Sequence, residues 1–82
     1  MMPTFSERLV ALRKQFGLTQ KQLAGELGLH VRAVQNYEAG RLPDAEVLIK
    51  LAKYFQVSID YLVGLTDDPT PPRRNSSSEW DP

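Results

Sequence analysis

Between residues 4 and 66 the apolar positions recur three and four apart, with Gly or Pro between the runs, and no stretch alternates as a strand would. Five short helices fit. The first spans about Phe5–Phe16, with Phe5, Leu9, Leu12 and Phe16 on one face. Thr4 followed by Glu7 has capping-box spacing, and Gly17 suits a left-handed stop. The second begins after Thr19, where Gln22 completes another capping box; Leu23, Ala24 and Leu27 form its stripe and Gly28 ends it. The third covers about Val31–Ala39, with Val34 and Tyr37 inward and Gly40 beyond its end. Asp44 caps a fourth, striped by Val47, Leu48, Leu51, Ala52 and Phe55. Ser58 caps a fifth, which carries Ile59 and Leu62 and ends at Gly64.

The connections are too short for a long parallel bundle, so the helices must cross around one core, giving an all-α fold. Gly25, inside the second helix, costs about 1 kcal/mol relative to Ala. It marks either a tolerated weak position or a close helix–helix approach.

Composition narrows the function. The chain of 82 residues is 41% hydrophobic and 24% charged, a globular balance large enough for one small domain. Without Cys, and with His30 alone, it offers no disulfide, no thiolate site and no His-rich zinc site, so no metal or cofactor is expected. No apolar run reaches the ~18–20 residues of a membrane span, and the start does not read as a secretory signal. No membrane partner is expected. No catalytic residue is assigned: His30 lacks a Cys partner, and neither a carboxylate pair nor a Gly-rich phosphate loop appears. The zero net charge is unevenly spread. Residues 1–66 hold eight basic and six acidic side chains, net +2; residues 67–82 hold two and four, net −2. The body is expected to have modest affinity for a polyanion, so tight binding would need a dimer or good base contacts. Residues 67–82 hold four of the six prolines, three consecutive serines and a single apolar residue, Trp80, which reads as a flexible tail, extended or disordered, after a domain at 1–66.

Leu18–Arg41 carries the function. A capped helix, a Gly-centred turn and a second helix of similar length make a helix-turn-helix, in which the first helix braces the second for the DNA major groove. The specific elements are Arg13, Leu18-Thr19-Gln20, Leu23-Ala24, Gly28, Val34 with Tyr37-Glu38 and Gly40, Pro43, Leu51-Ala52, and Val57-Ser58-Ile59-Asp60-Tyr61-Leu62. In these residues the chain resembles the phage repressor/Cro-type, or xenobiotic-response-element-like, helix-turn-helix regulators over about residues 5–64. The resemblance implies a compact five-helix, lambda-repressor-like DNA-binding domain.

With Val34 and Tyr37 inward, the opposite face of the third helix presents His30, Val31, Arg32, Gln35 and Asn36 as base-contact candidates. Arg pairs with guanine and Gln or Asn with adenine, while a Val methyl suits the thymine methyl; Gln35 suits a base or a phosphate. The bland alternative is a solvated helix face. Val31 is expected to be exposed. His30 stands where the family usually has a small hydroxyl residue as helix cap, and suits either a DNA contact or that cap. Gln20, by resemblance, meets the DNA backbone at the start of the second helix; Arg41 and, more weakly, Lys21 are further phosphate candidates. The resemblance also implies a partly buried structural ion pair between Arg13 and Glu38. Gln56 replaces the family's frequent Gly at a left-handed helix end.

A single recognition helix reads few base pairs, so a homodimer on a palindromic double-stranded operator is expected, with Tyr61, Val63 and Leu65 as dimer candidates. Trp80 is either unpacked or docks on its own domain, the other subunit or a partner protein. The leading expectation is a sequence-specific transcriptional regulator, a repressor of bacterial or phage origin, cytoplasmic and nucleoid-associated when bound. The alternative is an antitoxin-like or adaptor module that binds a protein through the tail.

Overall fold

A computed structural model describes residues 2–71. Among them are five helices and no strand: α1 (Phe5–Gln15), α2 (Gln20–Leu27), α3 (Val31–Glu38), α4 (Ala45–Phe55) and α5 (Ile59–Leu62). Each start is set by a side chain that satisfies backbone N–H groups the helix leaves open. Thr4 and Glu7 form a reciprocal capping box, as do Thr19 and Gln22. Asp44 accepts from the Val47 N–H at 3.0 Å and Ser58 from the Tyr61 N–H at 2.9 Å.

The ends share one device. Leu18, Leu29, Arg41, Val57 and Leu65 each donate a backbone N–H to the carbonyl five residues back. Closing that bond takes a residue in the left-handed region, which is glycine after four helices and Gln56, at φ +58°, after α4. Gln56 carries a Cβ there, a strain that glycine would not have. Gly64 answers a second demand, since a Cβ at that position would collide with the Pro3 carbonyl oxygen.

Phe5, Leu9 and Leu12 of α1 meet Leu23, Ala24 and Leu27 of α2, Val34 of α3, Val47, Leu51 and Phe55 of α4, Val57 and Leu62 in one core. Two expectations are corrected and one open alternative is decided. The first helix stops at Gln15, and Phe16, its C-cap, is 46% exposed instead of buried on the helix's apolar face. Its ring still meets Phe55 edge-on at 4.9 Å between centroids. Gly25 does not mark a close approach, because a Cβ built there meets nothing within 4 Å. Val31 is half-buried against the core instead of fully exposed, because the first turn of α3 lies close to the helices that brace it.

Arg8 has no counterpart in the sequence-based expectations. It is 6% exposed, with its guanidinium carbon 3.8 Å from the centre of the Tyr61 ring. Its Nη2 lies 3.4 Å from both the Thr66 carbonyl and the Asp67 carboxylate. Nε of Arg8 is buried without a hydrogen-bond acceptor. The Ser58 N–H donates to the Pro69 carbonyl at 3.0 Å. The chain therefore stays on the body beyond Asp67, as far as Pro71. Arg73, Arg74 and Trp80 lie outside the described residues.

Candidate nucleic-acid interface

The turn between α2 and α3 positions the site. Gly28, at φ +69°, lets the Leu29 N–H reach the Ala24 carbonyl at 2.8 Å. Leu29 then packs on the core, and the chain redirects within three residues into α3. His30 caps α3: its Nδ1 accepts from the Arg32 N–H at 3.0 Å, which leaves Nε2 as the donor of the neutral ring.

Val34 is fully buried and Tyr37 half-buried, so one side of α3 is committed to packing. The remaining arc holds Arg32, Gln35 and Asn36, all exposed, beside exposed His30 and the part of Val31 that the core leaves open. An eight-residue helix is about 12 Å long, so these side chains lie within a few base-pair steps of one another.

Two ties fix α3 to α1. Arg13 Nε and Glu38 Oε2 are 2.5 Å apart, and Arg13 Nη2 donates to Glu38 Oε1 at 3.1 Å, a two-pronged pair between side chains 13% and 8% exposed. Arg13 Nη1 also donates to the Leu18 carbonyl at 2.9 Å. Nearer the start of α1, the Ser6 hydroxyl donates to the Tyr37 carbonyl at 2.7 Å. Gln20 joins the network: its Nε2 donates to Glu38 Oε1 at 2.9 Å, leaving one amide hydrogen for another acceptor. Glu38 is thereby surrounded by donors and does not stand as an isolated negative charge beside the exposed face of α3.

Exposed Lys21 stands on the first turn of α2, beside Gln20 and helix N–H groups that lack helical partners. Arg41 is exposed just past α3, its N–H bonded to the Asn36 carbonyl at 3.1 Å. It lines a cleft of about 500 Å³ with Asn36, Tyr37, Leu42 and Asp44. The dimer candidates lie elsewhere, in and after α5. Leu65 is 72% exposed, Val63 is half-buried, and one face of the Tyr61 ring is covered by Arg8.

Sequence reasoning missed Ser6, Arg8 and the bond from Gln20 to Glu38. Ser6 and Arg8 offered no signal, since Ser6 meets a carbonyl 31 positions away and Arg8 an acid 59 positions away. Among the described residues no group of three or more His, Asp or Glu side chains could hold a metal, and no helix is long and apolar enough to cross a membrane.

Two capped helices joined by a glycine turn, with the second tied to a frame and showing a polar arc, define a repressor/Cro-type helix-turn-helix domain. The chain belongs to the family described as Helix-turn-helix, which it matches over residues 9–62. It is 43% identical over 68 residues to the uncharacterized HTH-type transcriptional regulator YobD of Bacillus subtilis, covering 82% of this chain and 61% of that protein. It is 42% identical over 59 residues to the cryptic phage CTXphi transcriptional repressor RstR of Vibrio cholerae, covering 71% and 53%. The chain thus spans between about half and three-fifths of these relatives' lengths. A crystal structure of a transcriptional regulator from Listeria innocua matches with a TM-score of 0.72 at 39% identity, over 96% of this chain and 71% of that one. The family is one of transcriptional regulators, not of enzymes.

Proposed function

We propose that the chain binds double-stranded DNA sequence-specifically and regulates transcription, acting as a repressor that occupies a palindromic operator as a homodimer. The supporting observation is the division of labour on α3. Val34 and Tyr37 pack inward, while Arg32, Gln35 and Asn36 stand exposed on a helix tied to α1 through Glu38 and the Tyr37 carbonyl. In this reading α3 enters the major groove. Arg32 pairs with a guanine, Asn36 reaches a base one turn on, and Gln35 meets a base or a phosphate. His30 and the open edge of Val31 border the same bases. Lys21, Arg41 and the free amide hydrogen of Gln20 hold the flanking phosphates. Residues 1–66 form the DNA-binding unit, with 67–82 as an extension of it. The exposed surface of Leu65, with Val63 and the uncovered part of Tyr61, forms the dimer contact, and half-sites lie about 34–36 Å apart or a multiple of that.

Selection from a random duplex pool at two salt concentrations tests this. A palindrome should be enriched, and Arg32→Ala should relax one base position in each half-site at a cost of ~1–3 kcal/mol. A pool left unenriched by the folded protein would overturn sequence-specific binding. Enrichment of a single half-site, with a monomer at all concentrations, would overturn the dimer.

A further inference from the structure

One cavity lies outside the DNA-facing arc. It is a groove of about 810 Å³ between α4, the start of α5 and the strap of residues 66–71. Ile49, Ala52, Val57, Ile59 and Pro71 give it an apolar lining, and Lys53 stands among them. Ile49 and Ile59 are exposed large apolar side chains, so the groove floor is hydrophobic surface without a cover in the described residues.

The outer wall is built. Arg8 holds the Thr66 carbonyl and the Asp67 carboxylate, and the Ser58 N–H holds the Pro69 carbonyl. Two side-chain turns follow in series: Thr66 Oγ1 accepts from the Asp68 N–H, and Asp68 Oδ1 from the Thr70 N–H. The strap thus delivers Pro71 to the rim of the groove, and the chain continues from that point.

We propose that this groove seats the Trp80 side chain of the same chain. Trp80 is the only apolar side chain in residues 72–82 apart from the prolines at 72 and 82, and stands nine positions beyond Pro71. Nine residues span up to about 30 Å when extended and a little over half of that as a coil, enough to turn back into a groove that starts at their own origin. An indole side chain buries roughly 150–250 Å² and suits an apolar slot with a polar rim. The charges run in matching order. In the proposed seating Arg73 and Arg74, which follow Pro71 in the sequence, complement Asp60 and Asp68 of the groove lining, and Glu79 and Asp81, which flank Trp80 in the sequence, complement Lys53 on α4. The short tether favours the chain's own indole over one from solution, because it holds Trp80 at high effective concentration next to the groove.

Trp80 is the only tryptophan, so its fluorescence reports on this directly. In the 82-residue protein its emission should be blue-shifted from that of a peptide of residues 72–82, and acrylamide quenching several-fold weaker. Both should persist on serial dilution, and Ile49→Lys should return both to the peptide values. Quenching equal to the peptide's overturns the proposal. Protection that fades on dilution also overturns it, because the occupant is then a second copy's segment. Should Ile49→Lys unfold the protein, Trp80→Ala replaces it. Methyl resonances of Ile49, Val57 and Ile59 should then shift while those of Val34 and Leu23 hold still. Shifts confined to Val63 and Leu65 would place the indole elsewhere and overturn the assignment.

Discussion

The pair that fixes α3 to α1 sets a sharp test. Arg13 and Glu38 are 13% and 8% exposed at their side chains, so each is largely withdrawn from water. Removing one partner of such a pair strands the other, at a cost of ~3–5 kcal/mol where burial is deep. A domain of this size has only roughly 3–10 kcal/mol in total, at about 0.05–0.15 kcal/mol per residue, so one substitution takes a large share of it. The two sides are unequal. Without Glu38, the Arg13 guanidinium keeps the Leu18 carbonyl at 2.9 Å and the greater access to water. Without Arg13, the Glu38 carboxylate keeps only the Gln20 amide at 2.9 Å. Arg13→Met should therefore cost more than Glu38→Leu. The double variant should cost less than the sum of the two by ~1–3 kcal/mol, because it strands nothing. Urea unfolding followed by far-UV circular dichroism, with the slope checked for constancy, measures all three. Single costs below ~1 kcal/mol, or a double variant whose cost equals the sum, would refute the claim that this pair ties α3 to its frame.

Three further outcomes follow from the geometry. Gly25→Ala should raise stability by ~0.5–1 kcal/mol, since the added methyl meets nothing and helix propensity improves; a lower melting temperature would contradict the open surroundings of Gly25. Arg41→Ala should weaken binding about equally across DNA sequences and lower the salt slope by about 1 per protomer; a change in base preference with an unchanged slope would place Arg41 on a base. The Asp68 carboxyl is held below the usual carboxylate range, chiefly by the Thr70 N–H. Its contribution to the strap is present above the ordinary value of about 3.9 and is lost only as pH falls through its own lower value. The Thr70 amide resonance should move with a midpoint below about pH 3.9, whereas a midpoint at or above that value would show no preference for the charged form.

Helix boundaries were legible because their causes are local. Thr4 with Glu7, Thr19 with Gln22, and the cap residues Asp44 and Ser58 act within three positions, so their spacing alone places the helix starts. Phe16 was misread because periodicity continues smoothly past a helix end, while the chain turns at Gly17 and takes the ring with it. Val31 was misread for a related reason, since a helical wheel cannot show that the first turn lies against neighbouring helices. Arg8 was illegible because its partners come from the far end of the domain. A cation beside Leu9 on an amphipathic helix ordinarily points to water, and only the fold brings Tyr61 and Thr66 around it. Within the interface, the polar arc of α3 followed from periodicity once Val34 and Tyr37 were placed inward. The pairing of Arg13 with Glu38 came only through the family resemblance, and the approach of Gln20 to Glu38 through neither.

The anchoring of α3 lies on its inner side and at its ends, in Val31, Val34, Tyr37 and Glu38, with the Ser6 hydroxyl and Arg13 of α1 as partners. The side chains of Arg32, Gln35 and Asn36 take no part in it, and exchanging such surface groups usually alters stability by no more than about 0.5 kcal/mol. Three positions on a fixed chassis can therefore drift or be rewritten without endangering the scaffold. On the reading proposed for these three side chains, closely related chains diverge in what they bind while remaining nearly superimposable.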